Sequence, residues 1–148
     1  MDGVGVSFSC NGAPRGKGRP RLSTRGGFAR AYTDPLTVAY EKSIAEIAKA
    51  AMGGGDPYTG ALSVSLRFRL PVPASMSKRQ RARILAGEEA YYGRIDLDNM
   101  IKAVWDSLNG IVFGDDSQVV RLFATKEAHA TPGVDVKVMA LEPQNGPA

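Results

Sequence analysis

The segment LSVSLRFRL, Leu62–Leu70, is the clearest strand signal in the chain, because apolar and polar residues alternate along it without interruption. Successive side chains of a strand point to opposite faces of a sheet, so this alternation predicts a strand with one apolar face. The face carries Leu62, Val64, Leu66, Phe68 and Leu70. The sequence therefore places this strand against a hydrophobic core.

Helices are predicted on both sides of this strand. Upstream, Thr33-Asp34-Pro35 combines a capping residue with proline at the first helical position, and Gly53-Gly54-Gly55 ends the helix that follows. Downstream, Ser77 precedes a short basic helix over residues 78–86. Apolar residues recur at helical spacing over residues 98–109, which predicts a third helix with a buried stripe.

Further strands are expected near both ends of the chain. Residues 4–8 alternate weakly, and residues 22–32 fit a hairpin with a turn at Gly26-Gly27. Residues 117–125 and 134–141 read as strands joined through Thr131-Pro132-Gly133. No linker divides the chain, so we expect a single domain over residues 1–148, with a frayed tail at 143–148.

Composition restricts the class of protein. With 148 residues and 43% hydrophobic residues the chain is ordinary for one globular core, and it holds no apolar run long enough for a membrane span. The N-terminus lacks the features of a secretion signal. Cys10 stands alone, which excludes an intrachain disulfide and fits a reducing cytoplasm. His129 also stands alone, beside Pro132-Gly133, and is interpreted as a turn residue.

Charge is distributed unevenly along the chain. Residues 1–95 carry 15 Lys/Arg and 7 Asp/Glu, whereas residues 96–148 carry 4 and 8. A basic portion can neutralise phosphates, and an acidic portion can hold a cation.

The acidic portion contains a dense motif. Asp96-Leu97-Asp98-Asn99-Met100-Ile101-Lys102 is followed, 13 residues after Lys102, by Asp115-Asp116-Ser117-Gln118. Clustered carboxylates in a net basic protein indicate a divalent cation, since Mg²⁺ and Mn²⁺ prefer oxygen ligands. Together with the basic portion, the motif suggests metal-assisted phosphodiester hydrolysis.

Spacing alone leaves two interpretations of this motif open. In one, Asp96 is extended, Asp98 begins the helix, Lys102 lies one turn further on the same face, and Asp115-Asp116 folds back to the N-terminal end of the helix. In the other, an aspartate caps the helix, Asp115-Asp116 forms a turn, and Lys102 pairs with Asp106 on a solvated face.

The motif resembles a known family. Asp-Leu-Asp-Asn-x-x-Lys, an apolar helix ending in Asn-Gly-Ile-Val-Phe, and Asp-Asp-Ser-Gln-Val-Val are similar to the RusA family of Holliday junction resolvases. Residues 17–21 and 31–35 resemble the branch of that family found in phages and prophages. The resemblance covers most of the chain in the same order, and it is most specific over residues 94–120.

The resemblance implies a fold, a reaction and a set of residues. The fold would be α+β, a small mixed β-sheet with helices on one side. The protein would be a homodimeric crossover junction endodeoxyribonuclease that uses Mg²⁺, or Mn²⁺ in its place, to nick branched DNA in a bacterial or phage-infected cytoplasm. The metal-binding aspartates match Asp96, Asp98 and Asp116, and the catalytic lysine matches Lys102. The match leaves the role of Asp115 open.

The basic N-terminal segment is predicted to contact DNA. Glycines let backbone approach phosphates, and arginine and lysine side chains bind phosphate oxygens without reading sequence. The predicted DNA-binding residues are Arg15, Lys17, Arg19, Arg21, Arg25 and Arg30. A solvated, solubilising surface is the alternative for this segment. For the whole chain the alternatives are a metal-dependent nuclease for flaps or forks, and a non-catalytic protein that binds branched DNA.

Overall fold

A computed structural model describes residues 3–17 and 34–144, together with the backbone of 21–23 and 30–32. The strands are β1 (Gly5–Asn11), β2 (Arg21–Ser23), β3 (Arg30–Tyr32), β4 (Leu62–Leu70), β5 (Val119–Ala128) and β6 (Gly133–Ala140). The helices are α1 (Pro35–Met52), α2 (Lys78–Leu85) and α3 (Leu97–Leu108).

The main sheet is mixed and has the strand order β1-β6-β4-β5. The pairs β1–β6 and β6–β4 are antiparallel, whereas β4 and β5 are parallel. A parallel pair needs a crossover connection, and the segment from β4 to β5 supplies it with α2 and α3. Strands β2 and β3 form a separate antiparallel hairpin. The predicted α+β fold with a mixed sheet is confirmed.

The core lies between one face of the sheet and the helices α1 and α3. The apolar residues of β4 are buried, as their alternation predicts, whereas Ser65 and Arg67 on the opposite face are exposed. From the helices, Ile44 of α1 and Met100 and Val104 of α3 are fully buried in the same cluster. Burying side chains of this kind stabilises the fold by about 1.5–3 kcal/mol each. This packing fixes α3, and with it the acidic motif, against the sheet.

Local sequence signals explain where the helices begin and end. The Asp34 side chain accepts a hydrogen bond from Leu36 N at 2.9 Å, and Pro35 is the first helical residue of α1. Gly53 ends that helix in the left-handed conformation, with φ of 60°. Ser77 caps α2 through Gln80 N. The predicted helices are therefore confirmed to within about one residue at each end.

Arg69 departs from the alternation of its strand. The other polar residues of β4 are more exposed to solvent, but Arg69 itself is only 6% exposed. Its guanidinium donates to Thr131 O at 2.5 Å and to Asn11 Oδ1 at 3.3 Å, and it pairs with Asp135 at 3.3 Å. A buried charge needs such partners. Arg69 thus ties the end of β4 to the β5–β6 turn, whose Thr131 N donates to His129 Nδ1 at 2.9 Å, as expected for a turn histidine.

Within the described ranges, no helix has the length and apolar character that a membrane span requires.

Candidate active site

The acidic motif forms the N-terminal end of α3. Asp96 is the N-cap residue, with φ of −65° and ψ of 138°, and its carbonyl accepts the first helical hydrogen bond from Met100 N at 3.2 Å. Its side chain makes no capping hydrogen bond. Asp98 lies in the first turn, and both aspartates are exposed. The helix begins one residue earlier than predicted, and it leaves both carboxylates available to a ligand.

Lys102 lies one turn beyond Asp98, on the same face of α3, and it is exposed. The alternative interpretation paired it with Asp106. Asp106 instead forms an ion pair with Lys17, with 3.0 Å between Asp106 Oδ2 and Lys17 Nζ. Among the residues that the structure describes, neither Lys102 nor the pair Asp96 and Asp98 has an ion-pair partner. Two parts of the alternative interpretation are therefore wrong, because no aspartate side chain caps α3 and Lys102 does not pair with Asp106.

A cleft opens beside Asp96. Residues 13–16 form one wall, residues 94–96 and Asn99 form the other, and the volume is about 370 Å³. Arg94 is exposed at this cleft. The space is large enough for part of a nucleotide, and its charged lining residues are Arg15, Arg94 and Asp96.

Lys126 of β5 also reaches this end of α3, which no pattern in the sequence predicts. Its ammonium donates to Ile95 O at 2.9 Å. The contact holds the residue before Asp96 against the sheet. Only the parallel pairing of β4 and β5, which sets Lys126 opposite Phe68, brings Lys126 to this position.

Asp115 and Asp116 lie at the other end of the sheet. Asp115 caps a short 3₁₀ turn, Asp116–Gln118, and its side chain accepts from Ser117 N at 3.0 Å. Gln118 completes the capping box through Asp115 N, and its amide also donates to Tyr58 O at 3.0 Å. Hydrogen bonds from the side chain and the backbone of Ser117 lower the pKa of Asp115. Asp115 therefore caps a turn before β5, as the alternative interpretation of the motif predicted.

The structure does not bring Asp116 to the N-terminal end of α3 within one chain. Asp116 lies just before Val119, the first residue of β5. Lys126, seven residues after Val119 on the same strand, contacts Ile95, the residue before Asp96. At about 3.3 Å per residue, this separates Asp116 from Asp96 by roughly 20 Å. The expectation that the aspartate pair folds back was wrong for a single chain, because α3 and β5 run in opposite directions.

In the described part of the chain, no three His, Cys, Asp or Glu residues converge into a metal-binding group. Two carboxylates are nevertheless sufficient for one kind of site. Mg²⁺ is usually held by one or two carboxylates, with substrate phosphates and water completing its shell. Asp96 and Asp98, exposed and unpaired, fit that kind of site.

The basic segment is described only in part. Arg15 pairs with Asp34 at 3.5 Å, and Lys17 pairs with Glu41 and Asp106. Arg19 and Arg25 lie outside the described residues, as do the side chains of Arg21 and Arg30. The predicted hairpin is confirmed in its backbone as β2 and β3. The predicted contacts of this segment with DNA stay a prediction.

Comparison with known proteins confirms the predicted family. The sequence matches the family model described as Endodeoxyribonuclease RusA over residues 11–139. The chain belongs to the RusA family. It is also 31% identical, over 135 residues, to the uncharacterized protein YqaN of Bacillus subtilis (strain 168), covering 90% of this chain and 94% of that protein.

Membership of the RusA family makes this chain an endodeoxyribonuclease of the crossover junction resolvase type. The substrate class is branched DNA, and the family is metal-dependent in general. The α3 motif, with its unpaired carboxylates and lysine, is the part of the described structure whose chemistry suits that reaction.

Proposed function

We propose that this protein resolves Holliday junctions in DNA recombination and repair, by paired symmetric nicks that depend on Mg²⁺, with Mn²⁺ able to substitute. One observation carries the proposal. The chain belongs to a nuclease family, and the N-terminal end of its α3 exposes Asp96, Asp98 and Lys102 to solvent. No other described residue forms an ion pair with these three side chains. Two carboxylates suit a divalent cation, and an ammonium one turn away suits a phosphate.

Asp96 and Asp98 would hold the cation, together with oxygens of the scissile phosphate. The ion, when bound, supplies charge neutralisation at that phosphate and lowers the pKa of a water that it holds. Lys102, one turn away, is placed to stabilise the negative charge that develops on the phosphate or the leaving oxygen. Packing of α3 through Met100 and Val104 fixes the helix backbone that carries these side chains, which helps to position them for the reaction.

Asp116 would join this site from a second copy of the chain. Because it lies roughly 20 Å from Asp96 in its own chain, it can approach that aspartate only in an assembly. A two-fold homodimer would create two equal sites, each with Asp96 and Asp98 from one copy and Asp116 from the other. Two equal sites suit two symmetric nicks. Such a substrate implies that the enzyme works in the cytoplasm of a bacterium.

A cleavage assay on a labelled four-way junction, with and without Mg²⁺, tests the proposal. Asp98→Asn should abolish cleavage while junction binding is retained or becomes tighter, because removing one of two close carboxylates relieves repulsion toward phosphate. A variant that cuts at nearly the wild-type rate would refute the metal assignment. Parallel reactions on flap and fork substrates separate a resolvase from a nuclease of other preference, and wild-type binding without any cleavage would indicate a binding protein.

A further inference from the structure

The segment that leads into the basic hairpin is packed directly against the first turn of α3. Lys17 N donates to Asn99 O at 2.9 Å, a backbone contact between segments far apart in sequence. A Cβ added at Gly16 would meet Ile95 Cγ2 at 2.6 Å and Asn99 Cβ at 3.1 Å. Only glycine permits this approach, so residues 16–17 run in close contact with the residues that flank Asp96 and Asp98.

The Lys17 side chain then bridges two helices. Its ammonium lies 3.2 Å from Glu41 Oε1 of α1 and 3.0 Å from Asp106 Oδ2 of α3. The side chains of Lys17 and Glu41 are 29% and 14% exposed. Burial by itself would lower the pKa of Lys17, but its hydrogen bonds to Asp106 and Glu41 outweigh burial and raise the pKa. Lys17 therefore stays charged at neutral pH, as the bridge requires.

This bridge also defines the cleft beside Asp96. Residues 13–16 form one wall of that cleft, and Lys17 is the next residue along the chain. Arg15, within the wall, pairs with Asp34 at the start of α1. Both contacts hold the wall to helices that are themselves packed in the core.

We propose that Lys17 is a positioning residue of the nuclease rather than a DNA contact, an inference that rests on the proposed function. Through Glu41, Asp106 and Asn99 it holds the wall of the cleft against the α3 turn that carries Asp98. Lys17, Glu41 and Asp106 together carry a net charge of about −1, which does not attract a phosphate. The ammonium of Lys17 already pairs with Glu41 and Asp106 within the protein. Its function is to hold the wall of the cleft in a fixed position relative to the carboxylates of Asp96 and Asp98.

Lys17→Met tests this role, with Lys42→Met as the matched control. Lys42 is an exposed lysine of α1, next to Glu41 in sequence, and no described residue pairs with it. We expect Lys17→Met to lower kcat for junction cleavage by roughly 10-fold or more, since small misplacements at a reacting centre are costly. Junction affinity should change by less than about 2-fold, and the slope of log affinity against log salt should stay as in the wild type. Lys42→Met should match the wild type in kcat.

A second variant separates loss of the bridge from the destabilisation that an unpaired, mostly buried Glu41 causes. The double variant Lys17→Met/Glu41→Gln removes that charge and should recover thermal stability, while kcat stays low because the bridge is still missing. Lys17→Arg keeps a cation between the carboxylates and should recover most of kcat.

Two results would overturn the inference. A salt slope flatter by about 0.7–0.9 in Lys17→Met, with kcat unchanged, would make Lys17 a phosphate contact. Recovery of kcat together with stability in the double variant would make its role purely structural. Failure of the wild-type protein to cut junctions in Mg²⁺ would instead count against the proposed function, and Asp98→Asn measured in parallel distinguishes the two failures.

Discussion

Mixing two inactive variants should restore activity if the active site is shared between two copies of the chain. The variants are Asp98→Asn and Asp116→Asn, each of which removes one proposed metal ligand. In a shared site, a homodimer of either variant has two damaged sites. A mixed dimer places the intact Asp98 of one copy next to the intact Asp116 of the other, and it places both asparagines in the second site. One site in each mixed dimer is therefore complete.

The size of the effect follows from the symmetry. Random exchange of subunits at equal concentration makes about half of the dimers mixed, and each has one complete site of two, so the nicking rate should recover to about one quarter of the wild-type value. If instead all ligands of a site came from one chain, every site in the mixture would lack one aspartate, and no activity would return. The roughly 20 Å between Asp116 and Asp96 within a chain favours the first outcome.

A supercoiled plasmid with an extruded cruciform provides the assay. If the proposed dimer makes both nicks while it is bound, the wild-type protein should produce linear DNA. A mixed dimer has one working site and should produce nicked circles with little linear product. The single variants, incubated and exchanged in the same way, serve as controls.

Absence of any recovery, with subunit exchange verified by a tag on one variant, would refute the shared site. Full activity of Asp116→Asn alone would show that Asp116 is not a metal ligand at all, and the site would then consist of Asp96 and Asp98 with the substrate's own oxygens.

Three further predictions concern residues outside this test. Lys102→Ala should lower the cleavage rate by about 10²–10³-fold, with little change in junction affinity measured by gel shift; equal losses in both would make Lys102 a positioning residue. Asp115→Ala should lower the melting temperature at neutral pH. Because hydrogen bonding lowers the pKa of Asp115 in the folded state, the difference in melting temperature from the wild type should shrink as pH falls through that lowered pKa. A difference that does not depend on pH would contradict the cap. Neutralising the four arginines of residues 18–30 should flatten the salt dependence of junction binding by about 0.7–0.9 per lost phosphate contact, and parallel salt plots would make this segment a solvated surface.

Several features of this protein could be read from local sequence, because they depend on neighbours along the chain. Alternation in Leu62–Leu70 predicted the buried strand β4, and the Asp34-Pro35 pair predicted the start of α1. The spacing of Asp98 and Lys102 predicted that they share a helix face. Each of these signals depends on residues no more than four positions apart, because strand alternation, helix caps and helix faces are determined over that distance along the chain.

Tertiary structure alone decided which charges meet. Lys17 belongs to a basic run in the sequence, but the fold places its ammonium between Glu41 and Asp106. Asp116 is close to α3 in sequence. Because α3 and β5 run in opposite directions, Asp116 lies at the end of the sheet away from Asp96 and Asp98. Sequence spacing carries no information on the direction in which packed elements run, and that direction determines the distance between charges on them.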